Sequence, residues 1–405
     1  MSAAPSRNKK PLHLPAGFLW SSATAGIKAS GRADLALAEA PMGATAAAVF
    51  TKNRVCAAPV QLDRTHLRKS NQRVRAVLVN SGNANCATGK QGIADAQLCC
   101  SALGSLLEAA PEFVFPSSTG IIGVPMPVEK LTAALPKLVS GRKGTEKALR
   151  DFGHAILTTD TVAKTASESF EIGGRKVSVT GVAKGSGMIH PNLATMLVYI
   201  FTDIEAEADV LQESLADAVA DSFNCISVDG DTSTNDTVLV LASGASKVPL
   251  NSKAVKPFDA ALAAVCASLA EQIIRDGEGA RHLIRLHVEQ ARTRDEALHI
   301  AREIAHSPLV KTAWAGADPN WGRLLSTVGK SGVPVNPEKV NIFIGEHQVC
   351  RNGGASGFDV KAAHKLMLGR EYEIRILLGR GKERVQFLTC DLTTEYVHIN
   401  ADYST

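Results

Sequence analysis

Six consecutive residues, Met196-Leu197-Val198-Tyr199-Ile200-Phe201, form an apolar run directly behind a stretch rich in Gly, Ser, Pro and Asn, and this junction constrains the fold of the 405-residue chain. Such a run reads as a buried strand. Upstream, Gly185-Ser186-Gly187 and Pro191-Asn192 favour an irregular loop over regular pairing. Thr195 stands where loop meets strand, so its hydroxyl is held at the threshold of a rigid element. The pattern alone does not separate a nucleophile from an ordinary strand-edge threonine.

A threonine hydroxyl needs a base within hydrogen-bond reach to act as a nucleophile, and no His or Asp with triad-like spacing accompanies Thr195. Cleavage of the Ala194–Thr195 bond would supply one. The freed α-amine, with a reference pKa of about 7.7–8.0, is able to accept the hydroxyl proton. Ala194 leaves the scissile carbonyl uncrowded.

Val74 to Val79 reads as a strand that meets a loop at Asn80-Ser81-Gly82-Asn83. A helix is expected from Asp95 to Leu107, and Val114-Phe115 leads into Pro116-Ser117-Ser118-Thr119-Gly120, read as a sharp turn with exposed N–H groups. Apolar stripes at Leu211, Leu215, Ala218 and Val219, and at Leu262, Val265, Leu269 and Ile273, predict two core-facing helices. Thr293 and Glu296 fit a capping box ahead of a third, with Leu298, Ala301 and Ile304. Strands expected at Thr237 to Leu241, Val340 to Ile344 and Tyr372 to Leu378 alternate with these helices. The expectation is an α/β (α+β) chain of sheets layered with helices, long enough for two lobes.

The net charge of +4 is dispersed, and the basic cluster Arg7-Asn8-Lys9-Lys10 reads as a solvated terminus, so no nucleic-acid partner is expected. No apolar run of about 18 residues calls for a membrane span, and Pro11, His13 and Pro15 interrupt any secretory segment. A bacterial cytosol is the expected compartment. The eight cysteines form no C-x-x-C pair, which favours reduced thiols and no zinc site. Gly185-Ser186-Gly187 and Gly379-Arg380-Gly381-Lys382 fit no phosphate-loop frame, so no nucleotide cofactor is expected.

The run from Gly181 through Lys184-Gly185-Ser186-Gly187-Met188-Ile189-His190-Pro191-Asn192-Leu193-Ala194-Thr195 to Leu197 closely resembles the self-cleavage segment of the ornithine acetyltransferase (glutamate N-acetyltransferase) family. Matching segments recur along the chain in the same order: Asn53 to Val60, Asn80 to Asn85, Ser118 to Gly123, Asp229 to Thr237, Arg275 to Ala280, Gly316 to Arg323 and Ile399 to Thr405.

The resemblance implies self-cleavage into an α chain, residues 1–194, and a β chain, residues 195–405, assembled as an α2β2 heterotetramer. It implies Thr195 as nucleophile, with Thr119 and Gly120 as the oxyanion hole. Substrate contacts are implied at Thr158, Lys184, Thr195, Glu278, Asn400 and Thr405. The implied reaction moves an acetyl group from N-acetylornithine to glutamate, releasing ornithine and N-acetylglutamate. No cofactor is required, and acetyl-CoA stays open as a second donor. Lys184 either pairs with a substrate carboxylate or lowers the pKa of the Thr195 amine. Arg281-His282, which adjoins Glu278, departs from the family's usual Thr-Lys, and Cys86-Ala87 and His398 also depart. Two rivals stand beside this reading: a self-cleaving amidohydrolase or aminopeptidase that gives its acyl group to water, and an uncut amino-acid-binding protein.

Overall fold

The computed structural model describes residues 11–190 and 196–402. Their strands form two mixed sheets. The first runs, in spatial order, through Val114–Ile121, Arg73–Asn83, Leu35–Phe50, Thr237–Ala242, Leu197–Thr202, Arg175–Lys184 and Lys164–Ile172, with Leu19–Ala23 paired onto Leu35–Phe50. The second runs through Gly354–Ala355, His347–Arg351, Asn341–Ile344, Glu371–Leu377, Leu283–Ala291, Glu383–Cys390 and Ile226–Ser227. The α/β expectation holds.

The apolar run forms the strand Leu197–Thr202, which pairs antiparallel with Arg175–Lys184 and parallel with Thr237–Ala242. Val198 and Ile200 pack into one core with the helices Ala208–Ala220 and Val255–Arg275. Leu197, Tyr199 and Phe201 pack against Phe18, Trp20 and Phe152 on the opposite face. A strand sealed on both faces has no use for polar alternation, which is why the run is continuous. The helix Val255–Arg275 is long and apolar enough to cross a bilayer by composition. It is nonetheless a core helix, with Leu262, Val265, Leu269 and Ile273 packed among residues of both sheets, including Leu283 and Cys390. The second sheet is covered by the helices Arg294–Ala305, Pro308–Ala315 and Trp321–Lys330.

The three apolar stripes all lie on helices, and the expected strands match Thr237–Ala242, Asn341–Ile344 and Glu371–Leu377. The helix expected from Asp95 begins earlier, at Gly89. At Thr293 the hydroxyl accepts from the Glu296 N–H, but the Glu296 carboxylate bonds Arg292 N–H, so the reciprocal half of the box is displaced by one residue. All eight cysteines are free thiols, seven of them buried.

Two expectations fail together. Pro116 to Gly120 is not a turn and Asn80 to Asn83 is not a loop; each continues its strand, and the two strands pair in parallel, Asn80 with Ser118, Ser81 with Thr119 and Gly82 with Gly120. Tertiary pairing overrides turn-forming composition here. Pro116 is tolerated because Val114–Ile121 is the edge strand. Buried Ser118 is satisfied by Asn80, 2.6 Å from its hydroxyl. Because Arg175–Lys184 and Leu197–Thr202 are neighbours, residues on either side of the Ala194–Thr195 bond share one sheet.

Candidate active site

Six of the residues singled out in the sequence, Thr119, Gly120, Thr158, Lys184, Glu278 and Asn400, line a single cavity of about 220 Å³. Ala194, Thr195 and Thr405 lie outside the described residues. Met196, immediately after Thr195, is buried at the start of the central strand.

Lys184 ends the strand Arg175–Lys184 and is only 2% exposed. Its ammonium group donates to the Thr158 hydroxyl at 2.9 Å and to the Thr119 hydroxyl at 3.3 Å, and lies 3.7 Å from the Asp160 carboxylate. Burial lowers its pKa, Asp160 opposes that, and the positive charge of Lys164 adds to the lowering. By accepting from Lys184, the Thr119 oxygen leaves its own proton free to donate, and it does so from a polarised group.

The sequence reading missed what holds Lys184 in place. Lys164, fully buried, bridges Asp160 at 2.5 Å and Asp276. Asp160 also accepts from the N–H groups of Gly185 at 2.6 Å and Thr158 at 3.1 Å. Burial alone would raise the pKa of Asp160, but the charges of Lys184 and Lys164, with the Lys164 and Gly185 hydrogen bonds, bring it down to about 2. A depressed folded pKa gives stabilisation that is present above the unfolded value of about 3.9 and lost as pH falls toward the folded one. In an uncleaved Thr195→Ala background, Asp160→Asn is therefore expected to lower unfolding free energy at pH 7 by about 3 kcal/mol or more. The deficit should shrink in urea titrations repeated at pH 3; an equal deficit at both pH values would remove the charge argument.

Gly120 has φ +136°, and a Cβ there would collide with the backbone of Gly82 and Asn83, so only glycine fits. The neighbouring peptide is fixed by Asn235, whose side-chain amide donates to Ala84 O at 2.7 Å and Ser118 O at 2.9 Å. Asn83 in turn holds Val124 O at 3.0 Å and Asn85 N–H at 2.8 Å. Asn80 at the Ser118 hydroxyl and Asn235 at the Ser118 carbonyl thus hold the residue that precedes Thr119.

Also lining the cavity, Glu278 accepts from the Asn400 amide at 2.9 Å. Its carboxylate sits over Gly187, where a Cβ would overlap it. The backbone of Gly187 has no positive φ, so Gly187→Ala should fold and displace Glu278. The expected result is a loss of about 10–100-fold in kcat/KM with little change in Tm, read by steady-state kinetics and thermal melts.

Asp229 and Asp231 also line the cavity. Asp229 is raised to about 6 by burial, against the bonds it accepts from Met188 and Ile189 N–H and from Asp231 N–H. These bonds anchor the loop that leads toward residue 191. Arg281 and His282 do not line the cavity; their N–H groups bond Asp391 at 2.9 and 3.1 Å. Their departure from the family pattern therefore falls outside it. The dense polar run Asp231 to Asp236, set directly before an apolar strand, was the sequence signal available for Asp231 and Asn235.

The arrangement brings the Thr119 hydroxyl and the Gly120 backbone into one cavity with a buried cation at Lys184 and a carboxylate at Glu278. That set suits acyl transfer on a small zwitterionic substrate. The ArgJ family model matches residues 19–405. The arginine biosynthesis bifunctional protein ArgJ of Methylococcus capsulatus is 46% identical over 415 residues, covering 100% of both chains. Its counterpart in Parasynechococcus marenigrum is 45% identical, covering 96% of this chain and 94% of its own. A solved ArgJ from Bacillus halodurans is 40% identical and covers 51% of this chain and 98% of its own, with TM-score 0.49. An ornithine-complexed ornithine acetyltransferase from Mycobacterium tuberculosis is 35% identical, covering 45% and 94%, with TM-score 0.39.

Proposed function

The chain belongs to the ArgJ family, and on that premise we propose that Thr195 is the N-terminal nucleophile of an acetyltransferase of arginine biosynthesis. The reaction takes the acetyl group of N-acetylornithine and gives it to glutamate. Its maturation cuts between Ala194 and Thr195, yielding chains 1–194 and 195–405. Thr195 Oγ1 attacks the acetyl carbonyl, and its proton passes to the α-amine of Thr195. The Thr119 hydroxyl and Gly120 N–H stabilise the oxyanion. The C–N bond breaks, ornithine leaves with the proton, and the acetyl-threonine ester then acylates the glutamate amine.

One observation carries this reading: Thr119, Gly120, Thr158, Lys184, Glu278 and Asn400, spread over 282 positions of sequence (400 minus 118), meet in one cavity. Lys184 activates Thr119, and Glu278 with Asn400 serves the charged groups of the amino acid. Thr405 belongs to the same substrate shell, acetyl-CoA serves as an alternative donor, and the products assemble as an α2β2 heterotetramer in the cytosol. Ornithine release from N-acetylornithine, measured with and without glutamate, tests the transfer. Release that requires glutamate supports it, whereas release indifferent to glutamate means an amidohydrolase.

A further inference from the structure

Among the buried acids that the chemistry above leaves unused, one stands beside the nucleophile's strand. Asp236 is fully buried, and its Oδ1 accepts from the Met196 N–H at 3.0 Å. That nitrogen belongs to the peptide bond that follows Thr195. The Asp236 carbonyl is itself held by Thr51 N–H at 3.0 Å, and Thr237 N–H closes on Met196 O at 3.1 Å. Next to it, Asn235 pins the Ser118 carbonyl at 2.9 Å. The dipeptide Asn235-Asp236 therefore joins the oxyanion strand to the strand that begins after the nucleophile. Asp236 Oδ2 is buried with no hydrogen-bond partner of normal geometry among the described residues.

Four neighbours bear on this carboxyl: the Met196 N–H, the Ser233 and Thr51 hydroxyls, and the Lys184 charge, all favouring ionisation against a larger effect of burial. The Thr51 proton is used, since Thr51 Oγ1 donates to Ser233 O at 2.7 Å; Ser233 Oγ accepts from Asn235 N–H at 3.1 Å and keeps its own proton, but makes no hydrogen bond of normal geometry to Asp236 Oδ2. Lys184 is paired with Asp160. A buried carboxylate without a paired cation is costly, and such a group takes up a proton instead.

We propose that Asp236 is a positioning residue for the nucleophile and works as a neutral carboxylic acid, Oδ1 accepting from the peptide that follows Thr195 and protonated Oδ2 supplying a donor beside it. The inference rests on the Thr195 reading. In maturation the Thr195 hydroxyl attacks the Ala194 carbonyl carbon, the C–N bond to Thr195 breaks as the ester C–O bond forms, and the hydroxyl proton ends on the freed nitrogen. Water then hydrolyses the ester. Asp236 consumes nothing in these steps; it fixes the backbone from which the hydroxyl attacks.

Asparagine reproduces a protonated aspartic acid in this role, with an acceptor oxygen and a donor in place of Oδ2–H. The experiment follows cleavage of full-length chains made in a short cell-free pulse and then shifted to pH values from neutral to alkaline. Wild type should slow at alkaline pH as Asp236 ionises. Asp236→Asn should cleave at close to the neutral-pH wild-type rate and lose the alkaline fall, while Asp236→Ala should be slower by about a hundredfold. Circular dichroism checks the folding of Asp236→Ala; if that variant is unfolded, the pH profiles of Asp236→Asn and wild type decide. A folded Asp236→Asn as slow as Asp236→Ala, an Asp236→Ala as fast as wild type, or superimposable alkaline profiles would overturn the proposal. A wild type that never cuts between residues 194 and 195 would overturn the Thr195 reading as well, so the two failures are distinguishable.

Discussion

Thr195→Ala is expected to yield one uncut chain of 405 residues and to lower acetyl transfer by about 10⁴-fold or more. Both effects have one cause. The hydroxyl that opens the Ala194 peptide bond is the hydroxyl that carries the acetyl group, and the amine that serves as its base exists only after the cut. The scaffold should survive, because the strands on either side of the bond pair with each other and do not depend on cleavage: Lys184 faces Leu197, and Ala183 faces Val198. For the same reason, the two wild-type products should stay together in native size-exclusion runs and separate only on denaturation. Thr195→Ser keeps the hydroxyl and is expected to cleave. Intact mass and N-terminal sequencing read all three proteins. An uncut wild type that still transfers acetyl groups would sink the amine-as-base mechanism, and an active, cleaved Thr195→Ala would move the nucleophile elsewhere.

The sequence made some layers legible and hid others for definable reasons. Met196 to Phe201 reads as a buried strand because a strand covered on both faces writes itself as an unbroken apolar run. The helix Val255–Arg275 is legible because its stripe repeats at helical spacing. Pro116 to Gly120 misleads because Pro, Ser and Gly are scored as turn formers, while their strand identity comes from pairing with Arg73–Asn83 far along the chain. Buried Lys164 leaves no local trace. Nothing in Ala163-Lys164-Thr165 separates it from a solvated lysine, since its burial depends on Asp276, 112 residues away. Of the site, Lys184, Thr119, Thr158, Glu278 and Asn400 were reached only through resemblance. Their convergence is a property of the sheets, and so are the supporting roles of Asp160, Asn235 and Asp236.

Lys184→Met should leave the fold in place and reduce kcat/KM by about 10²–10³, equivalent to about 3–4 kcal/mol of transition-state stabilisation. The stability half of this expectation follows from the ion network. Asp160 retains Lys164 and the Gly185 and Thr158 N–H groups when Lys184 is removed, and a buried charge replaced by an apolar chain of similar length avoids its own desolvation cost. The activity half follows from the 3.3 Å bond to Thr119. Without the ammonium group, the Thr119 hydroxyl is neither oriented nor polarised, so both kcat and kcat/KM should fall. Arginine should not rescue it, because a larger planar head has no room in a site only 2% exposed. A double-mutant cycle with Thr119→Val separates action through Thr119, which the structure adds, from the carboxylate pairing the sequence left open for Lys184. If Lys184 acts through Thr119, the double variant loses little beyond Thr119→Val alone. Additive losses, with the Lys184→Met share appearing mainly as a raised KM, would instead make Lys184 the partner of a substrate carboxylate and leave Thr119 to act unaided.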